Sequence, residues 1–191
     1  MTLDPASVYR AARDRLKHRH DDGALQEMRA LADGGHTPAQ IFLGWAYEKG
    51  KNVATDHEEA KRWYTDAAQR GDVLGQYYLG MYFLRRGEIV DGARSIRSAA
   101  GRNYVPALYR LGRLFEDGTG VEKNDSECGR CMREAASGGH PFAQRWIARR
   151  GLKGHDGVRG VVRALLWFAT VPMLAGRFGW SDHIDQNMLD E

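Results

Sequence analysis

Residues 39–71, AQIFLGWAYEKGKNVATDHEEAKRWYTDAAQRG, decide the fold. The stretch reads as two helices joined by a loop. In the first half, Ala39, Leu43, Gly44 and Tyr47 fall at i, i+4, i+5 and i+8, the spacing of one buried helical stripe. In the second half, Ala60, Tyr64, Ala67, Ala68 and Gly71 form a similar stripe. Its small residues let a neighbouring helix approach closely, and the glycine can close the helix in a left-handed conformation.

The pattern repeats along the chain. The first-half positions return as Gly75, Leu79, Gly80 and Phe83, then as Ala107, Leu111, Gly112 and Phe115, then as Ala143, Ile147, Ala148 and Gly151. The Ala67-Ala68 pair returns as Ala99-Ala100 and Ala135-Ala136. Upstream, Ala24, Met28, Leu31, Ala32 and Gly35 carry the second-half pattern. One unit is shortened in the loop around Arg86 to Asp91, the kind of deletion a stacked helical repeat absorbs. Pro38, Pro106 and Pro141 all sit where helices are expected to start, where a missing N–H is harmless.

Two full copies of the unit carry a family resemblance. Residues 39–71 and the stretch PALYRLGRLFEDGTGVEKNDSECGRCMREAASGG share the A-x-x-x-L-G start, a loop before an acidic helix start, and the A-A end. VLGQYYLGMYFLRRGEIVDGARSIRSAAGRN is a shortened version. These stretches resemble the Sel-one-like repeat (SLR), a relative of the tetratricopeptide repeat. The resemblance implies an all-α chain, a right-handed α/α superhelix of antiparallel helix pairs, that holds proteins together as an adaptor or regulatory scaffold. It implies no catalytic residues and no cofactor. Residues 1–180 are then expected to form one array. Within it, 1–35 is a capping pair, 36–72, 73–104 and 105–140 are repeats, and 141–180 is a divergent last repeat with an apolar cap. Residues 181–191 form an acidic tail.

Composition fits a soluble protein, with 42% apolar and 28% charged residues. The net charge of +3 is too small to argue for nucleic acid. The first twenty residues lack the apolar core of a secretory signal, so the cytoplasm is the expected compartment.

Other motifs carry little chemistry. Two cysteines are too few for a disulfide framework. Cys128-Gly129-Arg130-Cys131 is a CxxC, but the repeat places its cysteines on the packed positions of Ala60 and Trp63. Buried thiols that behave as small hydrophobes are therefore expected. His18-Arg19-His20-Asp21-Asp22 lacks a closed metal-ligand set and reads as a solvated helix end. No HExxH, G-x-S-x-G or P-loop is present. An enzyme is not expected, and no metal site is assigned.

A partner surface follows from helical geometry once the resemblance assigns first helices to the concave side. Positions two before and two after each stripe leucine share the adjacent stripe. They are Ile41 and Trp45, Tyr77 and Met81, Tyr109 and Arg113, then Arg145 and Arg149. The ladder runs from apolar and aromatic to cationic, the residue types enriched at interface hot spots. It suits a protein or peptide with an apolar anchor and an acidic flank.

The last unit departs from the pattern. VVRALLWFATVPMLAG, residues 161–176, is apolar on nearly every side, too short to span a bilayer, and set among basic residues. Trp167, Phe168, Met173 and Leu174 are candidates for sealing the core, for self-association into a homodimer, or for contact with a membrane surface. The last of these gives the alternative function, a peripheral membrane adaptor using residues 159–180.

Overall fold

The computed structural model describes residues 4–18, 21–69 and 71–152. Trp167, Phe168, Met173, Leu174 and the tail lie outside them. The described residues are helical and contain no strand. The chain divides into two compact units, Met1–Ala99 and Ala100–Glu191.

The first unit holds α1 (Pro5–His18), α2 (Asp22–Asp33), α3 (Thr37–Lys49), α4 (His57–Gln69) and α5 (Val73–Arg85), with α6 (Ile89–Ala100) closing it. Helices α1 to α5 each start where a side chain satisfies free N–H groups. Asp21 accepts from Ala24 N at 2.9 Å, and Asp56 accepts from Glu58 and Glu59 N at 3.0 and 3.1 Å. Asp72 accepts from Leu74 and Gly75 N at 2.8 and 3.1 Å. At the other end of α3, Gly50 takes φ 69°, a left-handed turn that glycine adopts without strain.

The core of this unit is the stripe read from the sequence except at its end, where Tyr47 is only half-buried and Ala46 is sealed instead. Ala39, Leu43 and Ala46 are fully buried on α3, against Ala60, Tyr64 and Ala67 on α4. The recurring Leu-Gly step has a steric reason. A side-chain carbon on Gly44 would lie 2.9 Å from the Tyr64 ring, and one on Gly80 would lie 2.8 Å from Ile96. Each glycine makes room for the repeat-equivalent side chain of the following helix. On α5 the packing moves by one residue: Leu79 is half-buried, while Tyr78 and Tyr82 are buried. Tyr82 reaches α4, with its ring 5.3 Å from Tyr64 and its hydroxyl donating to the His57 carbonyl at 3.0 Å. Large aromatics with a polar tip thus take over the α4 contact from the leucine.

The second unit holds α7 (Val105–Asp117), α8 (Asp125–Ser137) and α9 (Pro141–Leu152). Ala107, Leu108, Leu111 and Leu114 pack against Cys128, Cys131, Met132 and Ala135. Gly112 faces Met132, as Gly44 faces Tyr64. Both cysteines are free and buried, at 1% and 0% exposure, at the packing positions the repeat assigns them. Burial pushes the Cys128 thiol up to about 11 and raises Cys131 in the same direction.

Candidate partner-binding surface

In the first unit, α3 and α5 carry the predicted positions. Ile41 is only 1% exposed and belongs to the core, so it offers no surface. The two-before position on this helix is covered because α3 is buried on almost every side. Trp45, Tyr77 and Met81 are half-buried. The Trp45 ring lies 5.8 Å from Phe42, and its indole N–H has no acceptor among the described residues. Tyr77 meets Tyr78 edge-on at 5.3 Å.

Beside them runs a tie the sequence reading missed. Glu48, with a side chain 8% exposed, accepts from Arg85 Nε and Nη2, both at 2.7 Å, and from the Tyr64 hydroxyl at 3.1 Å. One carboxylate therefore joins α3, α4 and α5. The bidentate geometry makes this a strong, directional contact. Burial first, then the Glu48 charge, raises the Tyr64 hydroxyl well above its ordinary value.

In the second unit, Tyr109 stacks on His140 at 4.2 Å and lies 6.1 Å from Phe142. Phe142 is 58% exposed. Arg113 pairs with Glu116 at 3.0 Å and Asp117 at 3.3 Å, so its charge is largely balanced on its own helix. Arg145 and Arg149 are exposed on α9, one and two turns after Phe142. Trp146 donates its indole N–H to Glu116 at 2.9 Å. Glu116 occupies the repeat position of Glu48, so the same residue anchors the next first helix in both units. That recurrence is visible in the sequence and would have found the tie.

His140 is the helix cap of α9. It is 5% exposed, and its Nδ1 accepts from Ala143 N at 3.4 Å. His36 caps α3 in the same way at 3.3 Å. Burial, helped by Arg110, lowers His140 to about 4, so the ring is neutral and free to accept. Among the described residues no group of three or more His, Cys, Asp or Glu gathers in a way that could hold a metal. No described helix is long and apolar enough to cross a membrane.

These paired helices, with a Leu-Gly step and an Ala-Ala end, match the family model of the Sel1 repeat at residues 37–72, 73–99 and 105–140. The chain belongs to the Sel1 repeat family. Sel1 repeats are typically protein–protein interaction modules and generally non-catalytic scaffolds. A curated relative, the exopolysaccharide production negative regulator of Rhizobium meliloti (strain 1021), is 25% identical over 175 residues, covering 82% of this chain and 60% of that protein. Two solved structures are similar. A protective antigen present in uropathogenic Escherichia coli strains, displaying an SLR fold, superposes with a TM-score of 0.71 at 28% identity, over 87% of this chain and 38% of its own. A Sel1 repeat protein from Oxalobacter formigenes gives 0.69 at 25% identity, over 87% and 69%. The α/α repeat architecture expected from the sequence is thus the one found among its structural relatives. This chain spans less than two thirds of the Rhizobium regulator and of the Escherichia antigen.

Proposed function

We propose that this Sel1 repeat chain is a non-catalytic scaffold that binds a partner protein or peptide on the faces of its first helices. The observation that supports it most is the half-exposed state of Trp45, Tyr77 and Met81, beside stripe residues such as Leu43 that are fully sealed. A large aromatic left partly open on a rigid helix is the residue type that dominates interface energetics. In the second unit Tyr109, Phe142, Arg145 and Arg149 favour an apolar anchor with an acidic flank. The Rhizobium relative, named as a negative regulator, supports a regulatory rather than a purely structural role for such binding.

The test is capture from source cells with the full chain as bait, beside the Trp45→Ala/Tyr77→Ala double variant. A specific partner should be retained at least about tenfold less by the variant, since loss of one hot-spot aromatic costs on the order of 2 kcal/mol. Equal capture by both folded proteins would remove these faces from the reading.

A further inference from the structure

Helix α9 of the second unit leaves two arginines unanswered. Its other polar side chains are engaged. Gln144 donates to the Ala136 carbonyl at 3.2 Å, Trp146 donates to Glu116 at 2.9 Å, and Arg150 lies over the Trp146 ring at 5.3 Å. Arg145 and Arg149 are exposed and have no ion-pair or hydrogen-bond partner among the described residues. The helix itself carries no acid. Neighbouring acids are already taken: Glu116 and Asp117 of α7 pair with Arg113, and Glu127 and Glu134 of α8 pair with Arg130.

The two arginines share a face with an apolar group. At about 100° per residue, Phe142, Arg145 and Arg149 fall within an arc of about 60°. Phe142 is 58% exposed, although its ring lies 6.1 Å from Tyr109 and 6.0 Å from His140. The aromatic cluster thus holds one side of Phe142 and leaves the other open. Arg145 and Arg149 are one turn apart, about 6 Å along the axis, and Phe142 lies about 4.5 Å before Arg145. The face therefore runs apolar, cationic, cationic over about 10 Å.

We propose that this face of α9 binds an extended acidic segment of a partner protein, in which one large apolar residue and two carboxylates alternate with residues that face away. In an extended chain, side chains two residues apart point the same way and lie about 7 Å apart. That spacing brings the carboxylates onto Arg145 and Arg149 and sets the apolar residue against Phe142. The long arginine stems take up the remaining differences of about 1–3 Å. Each guanidinium is a planar fork that takes a carboxylate through two parallel bonds. A helical occupant fits less well, because helices pack through an apolar stripe repeated over several turns, and here cations follow Phe142. Charge decides the occupant: two unbalanced cations on a helix without acids repel a basic partner and attract an acidic one. The assignment rests on the scaffold reading in taking the occupant to be a protein, and adds the pattern of residues the second unit reads.

The test is fluorescence anisotropy of a labelled, capped peptide with the full chain. The peptide carries one leucine followed, at alternate positions, by two glutamates, with serines between. A Kd of about 0.1–1 mM is expected at about 50 mM salt, rising at least about threefold at about 300 mM. A peptide of the same composition with its glutamates adjacent points them to opposite faces and should bind about fivefold more weakly. Arg145→Gln/Arg149→Gln should weaken the alternating peptide about tenfold, and Phe142→Ser several-fold, with circular dichroism showing the fold intact. Trp45→Ala/Tyr77→Ala should leave it unchanged. Equal binding of the two peptides, or an arginine variant that binds as well as its parent, overturns the proposal. Absence of saturation at about 5 mM does the same; if phosphatidylserine vesicles then bind through these arginines, the face belongs to a membrane surface instead. Failure of the peptide while capture still depends on Trp45 and Tyr77 removes the acidic segment and leaves the scaffold reading standing.

Discussion

Gly75→Ala sets the repeat pattern against the geometry. The other copies of this position are Ala39, Ala107 and Ala143, so pattern alone favours alanine. Helix propensity agrees, since Gly to Ala in a helix interior gains about 1 kcal/mol. The structure opposes both. A Cβ on Gly75 lands on the Ala67 carbonyl group and lies 2.7 Å from the Ala68 nitrogen. These are backbone atoms of the last turns of α4 and cannot swing aside. Clearing the closer Ala67 carbonyl to van der Waals distance opens the α4–α5 packing by about 1.2 Å. Overpacking of this kind costs about 1–3 kcal/mol, and more where backbone must move. Taking the upper end, and subtracting the propensity gain, leaves about 2 kcal/mol of destabilisation. For a unit of about 100 residues that lowers Tm by about 8–16 °C. The control is Gly129→Ala on α8, where the new carbon meets only the flexible end of Arg133 at 3.2 Å. It should gain about 0.5–1 kcal/mol. Thermal and urea melts of the full chain, read by circular dichroism, check both variants. A Gly75→Ala protein as stable as its parent would refute the close approach of α5 to α4.

Removing the Glu48 carboxylate with Glu48→Ala leaves Arg85 and the Tyr64 hydroxyl without their shared acceptor, and should cost about 3 kcal/mol by urea denaturation. A double-mutant cycle with Arg85→Met should return a coupling of about 1–2 kcal/mol, and a cycle near zero would reduce the tie to a surface pair. His140 makes stability depend on pH. Its folded value of about 4 lies below its ordinary 6.5, so the unfolded chain binds more protons between the two. Its stabilisation is complete above about pH 6.5, is lost as pH falls through that window, and is spent near pH 4. The ceiling is about 3 kcal/mol, and screening at a cap flanked by the exposed Gly139 and Pro141 leaves about 1–2 kcal/mol. His140→Asn, which keeps a capping acceptor, should flatten that slope in denaturation series run from pH 7 to 4. Cys128 and Cys131 should resist alkylation at pH 8 in the folded chain and react once it is unfolded; fast labelling of the native protein would contradict their burial.

The parts of this fold that were legible in the sequence are those with a period. Leu43 and Leu111 fall in the core because a stripe at helical spacing has one place to go. The glycines after them were legible as positions, and the structure supplies the reason, room for Tyr64, Ile96 and Met132. Leu79 was harder, because the helix that carries it also carries Tyr78 and Tyr82, and larger side chains took the contact with α4. The surface was less legible still. Counting two residues from each leucine put Ile41 and Trp45 in one class, but only Trp45 keeps an open edge. Exposure depends on what the neighbouring helices cover, and a single helix's period does not contain that information. Gln40 was passed over although it has a period: it returns as Gln76 and Gln144, and Gln144 donates to the Ala136 carbonyl at 3.2 Å as Gln40 donates to the Ala32 carbonyl at 2.9 Å.

Repetition also explains why the chemistry of this chain is polar at its joints and apolar in its seams. A stack of identical pairs gains burial from every copy, so Ala, Leu and Gly recur almost unchanged. The joints must instead settle the orphan N–H groups of each new helix, and here the answers vary: His36 and His140 accept through a ring nitrogen, Asp72 through a carboxylate, and Tyr104 makes no side-chain cap. Glu48 and Glu116 likewise hold the next first helix through different donors, Arg85 in one unit and Trp146 in the other. Substitution at a seam breaks packing that every copy needs, whereas substitution at a joint changes one helix end at modest cost. The joints are therefore where copies can diverge and acquire separate recognition.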